Sequence, residues 1–472
     1  MSGARAAAAA LTILLSACGS PARRVHVEPI AFAEMRAEPA ADASDETPPE
    51  AVEPAPPGAP VRTIDLPTAL AIAGATSPEI EFARQALLES QARLDATSVL
   101  WLPTLEVAPG YTKHEGRIQD TQGDVVQASR NSAFVGGGIA ASVPLEDAFL
   151  APRVERRNVE ARRSALDAAA NDAVRAVSLA YLDLLSAQSR VVVAEESVAH
   201  ARELADLAES FARGGQGLES DAARARSALA AEERERSAAE EEMAVASARL
   251  VRRLAVDPTI ALRAGEDRVA PVTVVPEDSP FRDLIEEALA NSPEVREREA
   301  LVEAAGEREN LESIRPFVPE IRLEASGGGF GGGTGSDFEN FGERGDVAAF
   351  LVWEFESLGF GNAARLRGSR AELRRERASL SEARLRAASE VSVAWQESRL
   401  KKEQIALATR GVEESARSLD LNFRRIRGAE GLPIEALDAI RTAAAARRAQ
   451  IDAVVGYNRA QVELRHALGR RE

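Results

Sequence analysis

The sequence is poor in the residues from which most enzymes build their sites. Aromatic residues are 4% of the 472, there is a single cysteine, and the four histidines (His26, His114, His200, His466) lie far apart. A lone cysteine excludes an intramolecular disulfide, and scattered histidines lack metal-ligand spacing. No catalytic constellation stands out, so neither an enzyme nor a cofactor or metal site is expected. Basic charge is also short: 58 Lys and Arg against 75 Asp and Glu leave a net charge of −17. That argues against nucleic acid, whose phosphates call for a basic surface. Beyond the N-terminus no apolar run approaches the length of a membrane-spanning helix, so any crossing of a bilayer falls to strands. The glycine run Gly327-Gly328-Gly329-Phe330-Gly331-Gly332-Gly333 has no Gly-Lys-Ser/Thr after it. A phosphate loop is therefore a poor reading, and an exposed loop loosening the end of a strand is expected instead.

What is abundant is Ala, Glu, Arg and Leu, the composition of long helices. The N-terminus is a different kind of segment. Arg5 precedes an apolar run from Ala6 to Leu15 broken only by Thr12, then Ser16 and Ala17 lead to Cys18. That is the layout of a secretory signal over 1–17, too short to span a bilayer. Leu15-Ser16-Ala17-Cys18 also resembles the bacterial lipobox, which implies that Cys18 is acylated and becomes the first mature residue. An ordinary signal peptide with an incidental cysteine is the alternative. Gly19 and Ser20 follow with no Asp beside the cysteine, which in such lipoproteins implies delivery to the outer membrane. Residues 18–62 then form a tether. From about Glu28 to Pro60 the chain is dense in Ala, Pro, Glu and Asp, too polar to offset its own ordering entropy.

The remainder is duplicated. Ser77-Pro78-Glu79-Ile80 recurs as Ser292-Pro293-Glu294-Val295, and Leu102-Pro103-Thr104-Leu105 as Val318-Pro319-Glu320-Ile321. Ala180-Tyr181-Leu182-Asp183 matches Ala394-Trp395-Gln396-Glu397, and Gly217-Leu218-Glu219 matches Gly431-Leu432-Pro433. Leu250 to Leu254 matches Leu464 to Leu468. A common offset of about 215 residues marks a tandem repeat, 63–258 and 281–472, joined by 259–280.

Each repeat carries the same order of elements. A first helix of about 35 residues (Pro67 to Leu100; Phe281 to Ile314) stops at prolines that forbid continuation. Two alternating segments follow, and then a very long helix. Between Pro152 and Gly214 there is neither Gly nor Pro, which predicts a rod of about 90 Å; its counterpart runs from about Asn362 to Arg427. Tight turns reverse the chain at Gly214-Gly215-Gln216-Gly217 and Gly428-Ala429-Glu430-Gly431, and a helix of about 37 residues returns. The shorter helices laid end to end match the long one, so a continuous rod beside two stacked rods is expected. Val174, Leu179, Leu182 and Leu185, with Val391, Ala394 and Leu400 in the second repeat, predict the narrow apolar stripe of a coiled-coil-like wall.

The candidate strands are about 101–112, 133–145, 319–330 and 346–356, alternating apolar and polar residues as a lipid-facing, water-lined sheet does. Two ordinary soluble hairpins are the alternative. Four strands cannot close a barrel, but about twelve from three copies would. The duplicated halves, a strand pair before each long helix, the glycine turns and the close Leu250-x-x-x-Leu254-Ala255-Val256-Asp257-Pro258 together resemble the TolC-like outer-membrane efflux protein family over about 62–470. The resemblance implies a mostly α fold with a small β part: a homotrimeric outer-membrane β-barrel of twelve strands, continued by an α-helical periplasmic tunnel. It also implies an exit channel of a tripartite efflux pump or type I secretion system, working with a periplasmic adaptor and an inner-membrane pump. The tips at Gly214, Gly217, Leu218, Gly428, Gly431 and Leu432 would then meet the adaptor. Glu219, Asp221, Glu430 and Glu435 are candidates for a gating or cation-selecting ring, although acids at helix N-termini also serve the macrodipole. The rival reading is a pore-less coiled-coil lipoprotein that acts as an envelope spacer.

Overall fold

The computed structural model describes residues 61–470, apart from 103, 107–109, 267, 277, 336, 338 and 429. Cys18, the signal segment 1–17 and the tether up to residue 60 lie outside the described residues. The chain opens with strand β1 (Val61–Ile64) and helices α1 (Leu66–Thr76) and α2 (Pro78–Ser98). Strands β2 (Thr104–Glu106), β3 (Gly110–Gln119) and β4 (Val125–Pro144) lead into α3 (Leu145–Arg213), and α4 (Glu219–Leu254) returns. After β5 (Ala261–Ala264) the second repeat follows: α5 (Phe281–Asn291), α6 (Pro293–Ile314), β6 (Glu320–Thr334), β7 (Gly342–Val352), α7 (Phe360–Arg427) and α8 (Pro433–Ala467).

The long helices are longer than expected. α3 has 69 residues and α7 has 68, about 100 Å each at 1.5 Å per residue. Pro152 does not start α3 but sits inside it as its eighth residue, where it leaves the Ala148 carbonyl without its i→i−4 partner. The expected first helix of each repeat is instead two. Ser77 and Ser292 leave helical geometry and Pro78 and Pro293 open a new helix, because proline favours the first helical position and disfavours α geometry in the residue before it. Ser292 caps its helix with a hydrogen bond from the Val295 N–H (3.4 Å). The Thr76 hydroxyl donates to the Leu254 carbonyl (2.7 Å), pinning the end of α1 to the end of α4.

The helices pack into a wall. α3 packs on α1, α2, α4, α6 and α8, and α4 also meets α8 directly through Glu235 and Arg448 (2.9 Å); α7 packs on α5, α6 and α8. Each continuous rod thus runs beside stacked shorter ones, as the lengths predict. α3 is also apolar enough over part of its length to cross a membrane, but 72% of that part is buried in the wall, the mark of a core helix. The apolar stripe is correct for Leu182 and Leu185 and for Val391 and Ala394, all buried. Leu400 is a correction: it is 55% exposed, because nine residues after Val391 an α-helix has turned well off the buried face.

A small device at mid-wall was not anticipated. β1 and β5 pair in parallel, Val61 opposite Ala261 and Ile64 opposite Ala264. The Tyr181 hydroxyl bonds the Glu266 carboxylate, and the Gln188 amide receives the Ala264 N–H (3.2 Å). Burial and the neighbouring Glu266 charge push the Tyr181 phenol far above its ordinary range, so it stays a neutral donor.

Candidate functional site

Two regions carry functional potential, the sheet at one end of the wall and the turns at the other. The sheet orders β2-β4-β6-β7, with β3 also paired to β4 above β2. The expected first strand is split, since Thr104–Glu106 and Gly110–Gln119 are separate. The other three are displaced from their expected bounds: Val125–Pro144, Glu320–Thr334 and Gly342–Val352. Leu145 belongs to α3 and no longer to the strand face.

Register fixes what each face holds, because residues directly opposite point the same way. On one face the rows are Val143–Ile321–Leu351, Ala141–Leu323–Ala349 and Ile139–Ala325–Val347. On the other they are Ser142–Arg322–Phe350, Ala140–Glu324–Ala348, Gly138–Ser326–Asp346 and Gly136–Gly328–Arg344. One face is continuous hydrocarbon and remains exposed, with Val347 at 86% and Leu351 at 60%. The opposite face bears every charge in these rows. The outer edges of β3 and β7 have no strand partner among the described residues.

The glycine run is strand, not the expected loop. Gly327 to Gly333 pair residue by residue with β4, Gly333 opposite Asn131 and Gly327 opposite Gly137. Space explains the composition. A Cβ on Gly328 would lie 2.4 Å from the Val135 carbonyl oxygen, and one on Gly136 would lie 2.3 Å from that of Gly327. Glycine marks the bend where two backbones close on each other, as at a barrel corner.

Where strand meets helix, charges converge. The Arg315 guanidinium contacts Asp147 (2.8 Å), Glu312 (3.5 Å) and Glu146 (3.7 Å), joining the start of α3 to the end of α6. Burial raises the Glu146 carboxyl above its usual range, partly opposed by its own backbone hydrogen bond and by Arg315. Trp101, Phe149, Phe317, Trp353 and Phe360 are exposed at these junctions, the position of an interfacial aromatic belt.

At the far end the two turns have the same construction. The Gln216 N–H donates to the Phe211 carbonyl (2.9 Å), and the equivalent Glu430 N–H to that of Arg425 (2.9 Å). Gly217 and Gly431 pass close over the preceding helix, where an added Cβ would meet Phe211 Cβ at 3.1 Å and Ile426 Cγ1 at 3.0 Å. Gly214 and Gly428 cap the long helices, and Gly215 takes φ +72°, the left-handed region that suits glycine. Leu218 and Leu432 are 66% and 60% exposed at the tips. Leu204, Ala208 and Ala222 share one core with Phe423, Ile426, Leu437 and Ile440, so the two hairpins are fused side by side.

Three of the four candidate acids hold ion pairs. Glu219 accepts from Arg226 (2.9 Å) and Glu435 pairs with Arg425 (3.0 Å). Asp221 pairs with Arg224 (3.6 Å) and, together with Glu430, lines a cleft of about 340 Å³ between the turns, with Gln216, Leu218, Leu432 and Pro433. Neither α4 nor α8 has a side-chain cap, so their first-turn acids also complement the macrodipole.

A ladder missed by sequence reasoning ties α3 to α8: Asp172–His466 (2.7 Å), Arg175–Glu463 (2.6 Å), Asp183–Arg459, Arg190–Asp452 (2.7 Å) and Glu196–Arg447. The charge on α3 alternates from rung to rung. Near the tips Glu203 crosses to Arg427 of α7 (2.5 Å). Among the described residues no group of three or more His, Cys, Asp or Glu side chains could hold a metal ion.

Comparison with solved structures gives similar folds. The outer-membrane channel OprN is 20% identical, with a TM-score of 0.69, covering 93% of this chain and 99% of that one. VceC from Vibrio cholerae is 16% identical (TM-score 0.72; 86% and 96% covered), and CmeC from Campylobacter jejuni 13% (0.74; 93% and 94%). No curated protein matches in sequence. The family model for outer membrane efflux proteins matches twice, over residues 70–256 and 284–470, once per repeat. The chain belongs to the outer membrane efflux protein family.

Proposed function

We propose that the protein is a passive exit duct: three copies close a twelve-stranded barrel in the outer membrane, and their helices continue as a tunnel into the periplasm. The observation that carries this reading is the helix-side part of the sheet, where the rows from Ile139 to Val143 are apolar on one exposed face and charged on the other, in a sheet open at both edges. Lys113, Glu115, Arg117 and Glu343 join the apolar face only further out. Lipid does not tolerate free strand edges, so the sheet closes with copies of itself. The helical wall supports the same closure. Val393, Leu400, Leu407 and Leu421 are 50–59% exposed and lie at heptad spacing on α7, away from the face that buries Val391 and Ser398.

In this reading no chemistry is asked of the chain. An adaptor meets the tips at Gly214, Gly217, Leu218, Gly428, Gly431 and Leu432, and an inner-membrane pump supplies the energy. Opening parts the hairpins at the tips, where Glu203–Arg427 and the shared core hold them. Asp221, with Arg224 beside it, and Glu430 line the cleft that opens and set a preference for cations, whereas Glu219 and Glu435 lie outside its lining. Cys18 carries the lipid anchor.

The test is electrical. Purified protein in planar bilayers is expected to conduct, and neutralising Asp221→Asn with Glu430→Gln should move the reversal potential in a salt gradient towards anions. Absence of any conductance from a protein that remains trimeric would refute the duct and favour the envelope spacer.

A further inference from the structure

Resting on the reading of the charged sheet face as a lumen, we infer that Phe134 and Phe330, with Arg344 as a positioning residue, form a binding site for flat aromatic solutes at the outer end of the barrel. Phe134 and Phe330 are opposite each other in the β4–β6 register. They belong to the charged face, two residues beyond the Gly136–Gly328–Arg344 row and four beyond Gly138–Ser326–Asp346. On that face they lie ten residues from the Pro144–Glu320 row where the helices begin, about 30 Å along the strand. The pair therefore sits at the end of the sheet away from the tunnel.

An aromatic pair on a charged, water-lined face needs a reason, since burial in a core is not it. Phe330 keeps 37% of its surface exposed. The neighbouring positions hold the rings in place. A Cβ on Gly136 would lie 2.7 Å from Phe134 Cζ, so the tip of the ring occupies space that only the absence of a side chain allows. The Arg344 guanidinium stands 5.0 Å from the Phe330 ring centre and donates to Asp346 (2.9 Å). One face of Phe330 is thus supported by a cation whose charge the carboxylate neutralises. What remains is ring surface without net charge, opposite Gly342, where an added Cβ would meet nothing within 4 Å and the space beside the Phe330 ring stays open. Such a surface selects for planar π-systems over sugars or ions of similar size. In three copies it gives six rings around one opening, the last surface a departing solute meets.

A pore with a binding site saturates and a plain pore does not. With wild-type trimers in liposomes, flux of a neutral coumarin dye should saturate with concentration, while flux of raffinose stays linear. Phe134→Leu with Phe330→Leu keeps the apolar volume and removes the ring faces. It should raise the half-saturating dye concentration about fivefold, the weight of an aromatic pair, with raffinose flux unchanged. Phe134→Tyr with Phe330→Tyr should restore the wild-type value, separating stacking from a merely structural role. Linear dye flux in the wild type, or saturation unchanged in the leucine variant, overturns the inference and leaves the duct intact. No flux of either solute would instead overturn the duct, and the inference with it.

Discussion

The apolar row on α7 gives the sharpest test of assembly. Leu400 and Leu407 are 55% and 59% exposed in one protomer. A fully buried leucine gains about 1.5–3 kcal/mol over an exposed one, so covering the remaining half of each yields roughly 1 kcal/mol. Leu400→Ala with Leu407→Ala should then cost about 2 kcal/mol per seam and about 6 kcal/mol over the three seams of a trimer. At 1.4 kcal/mol per decade this weakens association by about four orders of magnitude. Alanine is the best helix former, so α7 itself should not weaken. Mass photometry in mild detergent should find monomers at concentrations where the wild type is trimeric, while circular dichroism shows unchanged helix content. A double variant that stays trimeric over the same dilution series would mean that this row faces the lumen or another protein. The closure argument would then rest on the sheet alone.

Two further outcomes follow from buried charge. Arg315→Met leaves Asp147 and Glu146 without their cation, while Glu312 keeps Arg365 (3.5 Å). For this partly buried cluster the cost is about 2 kcal/mol, below that of a fully buried pair; the unfolding midpoint in denaturant, followed by tryptophan fluorescence, should fall accordingly. Burial raises the Glu297 carboxyl above its ordinary range, opposed by Arg298 and Arg162. Its folded-state value lies above the unfolded one, so its contribution is fully present in acid and is lost as pH rises through the folded value. Glu297→Gln should therefore raise the melting temperature at neutral pH relative to wild type, with the gap closing towards pH 4 in thermal scans.

The long helices and both turns were legible because their signals are local. Glycine and proline punctuate the chain at Gly214, Gly217, Gly428 and Gly431, and nothing interrupts the rods between. The breaks at Ser77–Pro78 and Ser292–Pro293 were also written there, as a capping residue before a proline, but they read as a repeat motif inside one helix. The glycine strand was not legible. Glycine reports only that a side chain is absent, and the crowding that excludes one at Gly328 comes from Val135 and Gly136, far away in sequence. Leu400 failed for a different reason, since its nine-residue step from Val391 already places it on the opposite side of the helix. The tip acids could be listed from the turns, but which of them line the cleft and which cations they meet, Arg224, Arg226 and Arg425, needed the packed hairpins.

The ladder between α3 and α8 also bears on how the two repeats find each other. An Ala-rich stripe of heptad spacing tolerates sliding, because one small knob fits the next hole as well as its own. The charges do not. A slip of one heptad in one direction sets Arg190 against Arg459, and in the other sets Asp183 against Asp452. Alternation of sign along α3 therefore works as an error check on alignment, penalising the neighbouring registers that the hydrocarbon alone would accept.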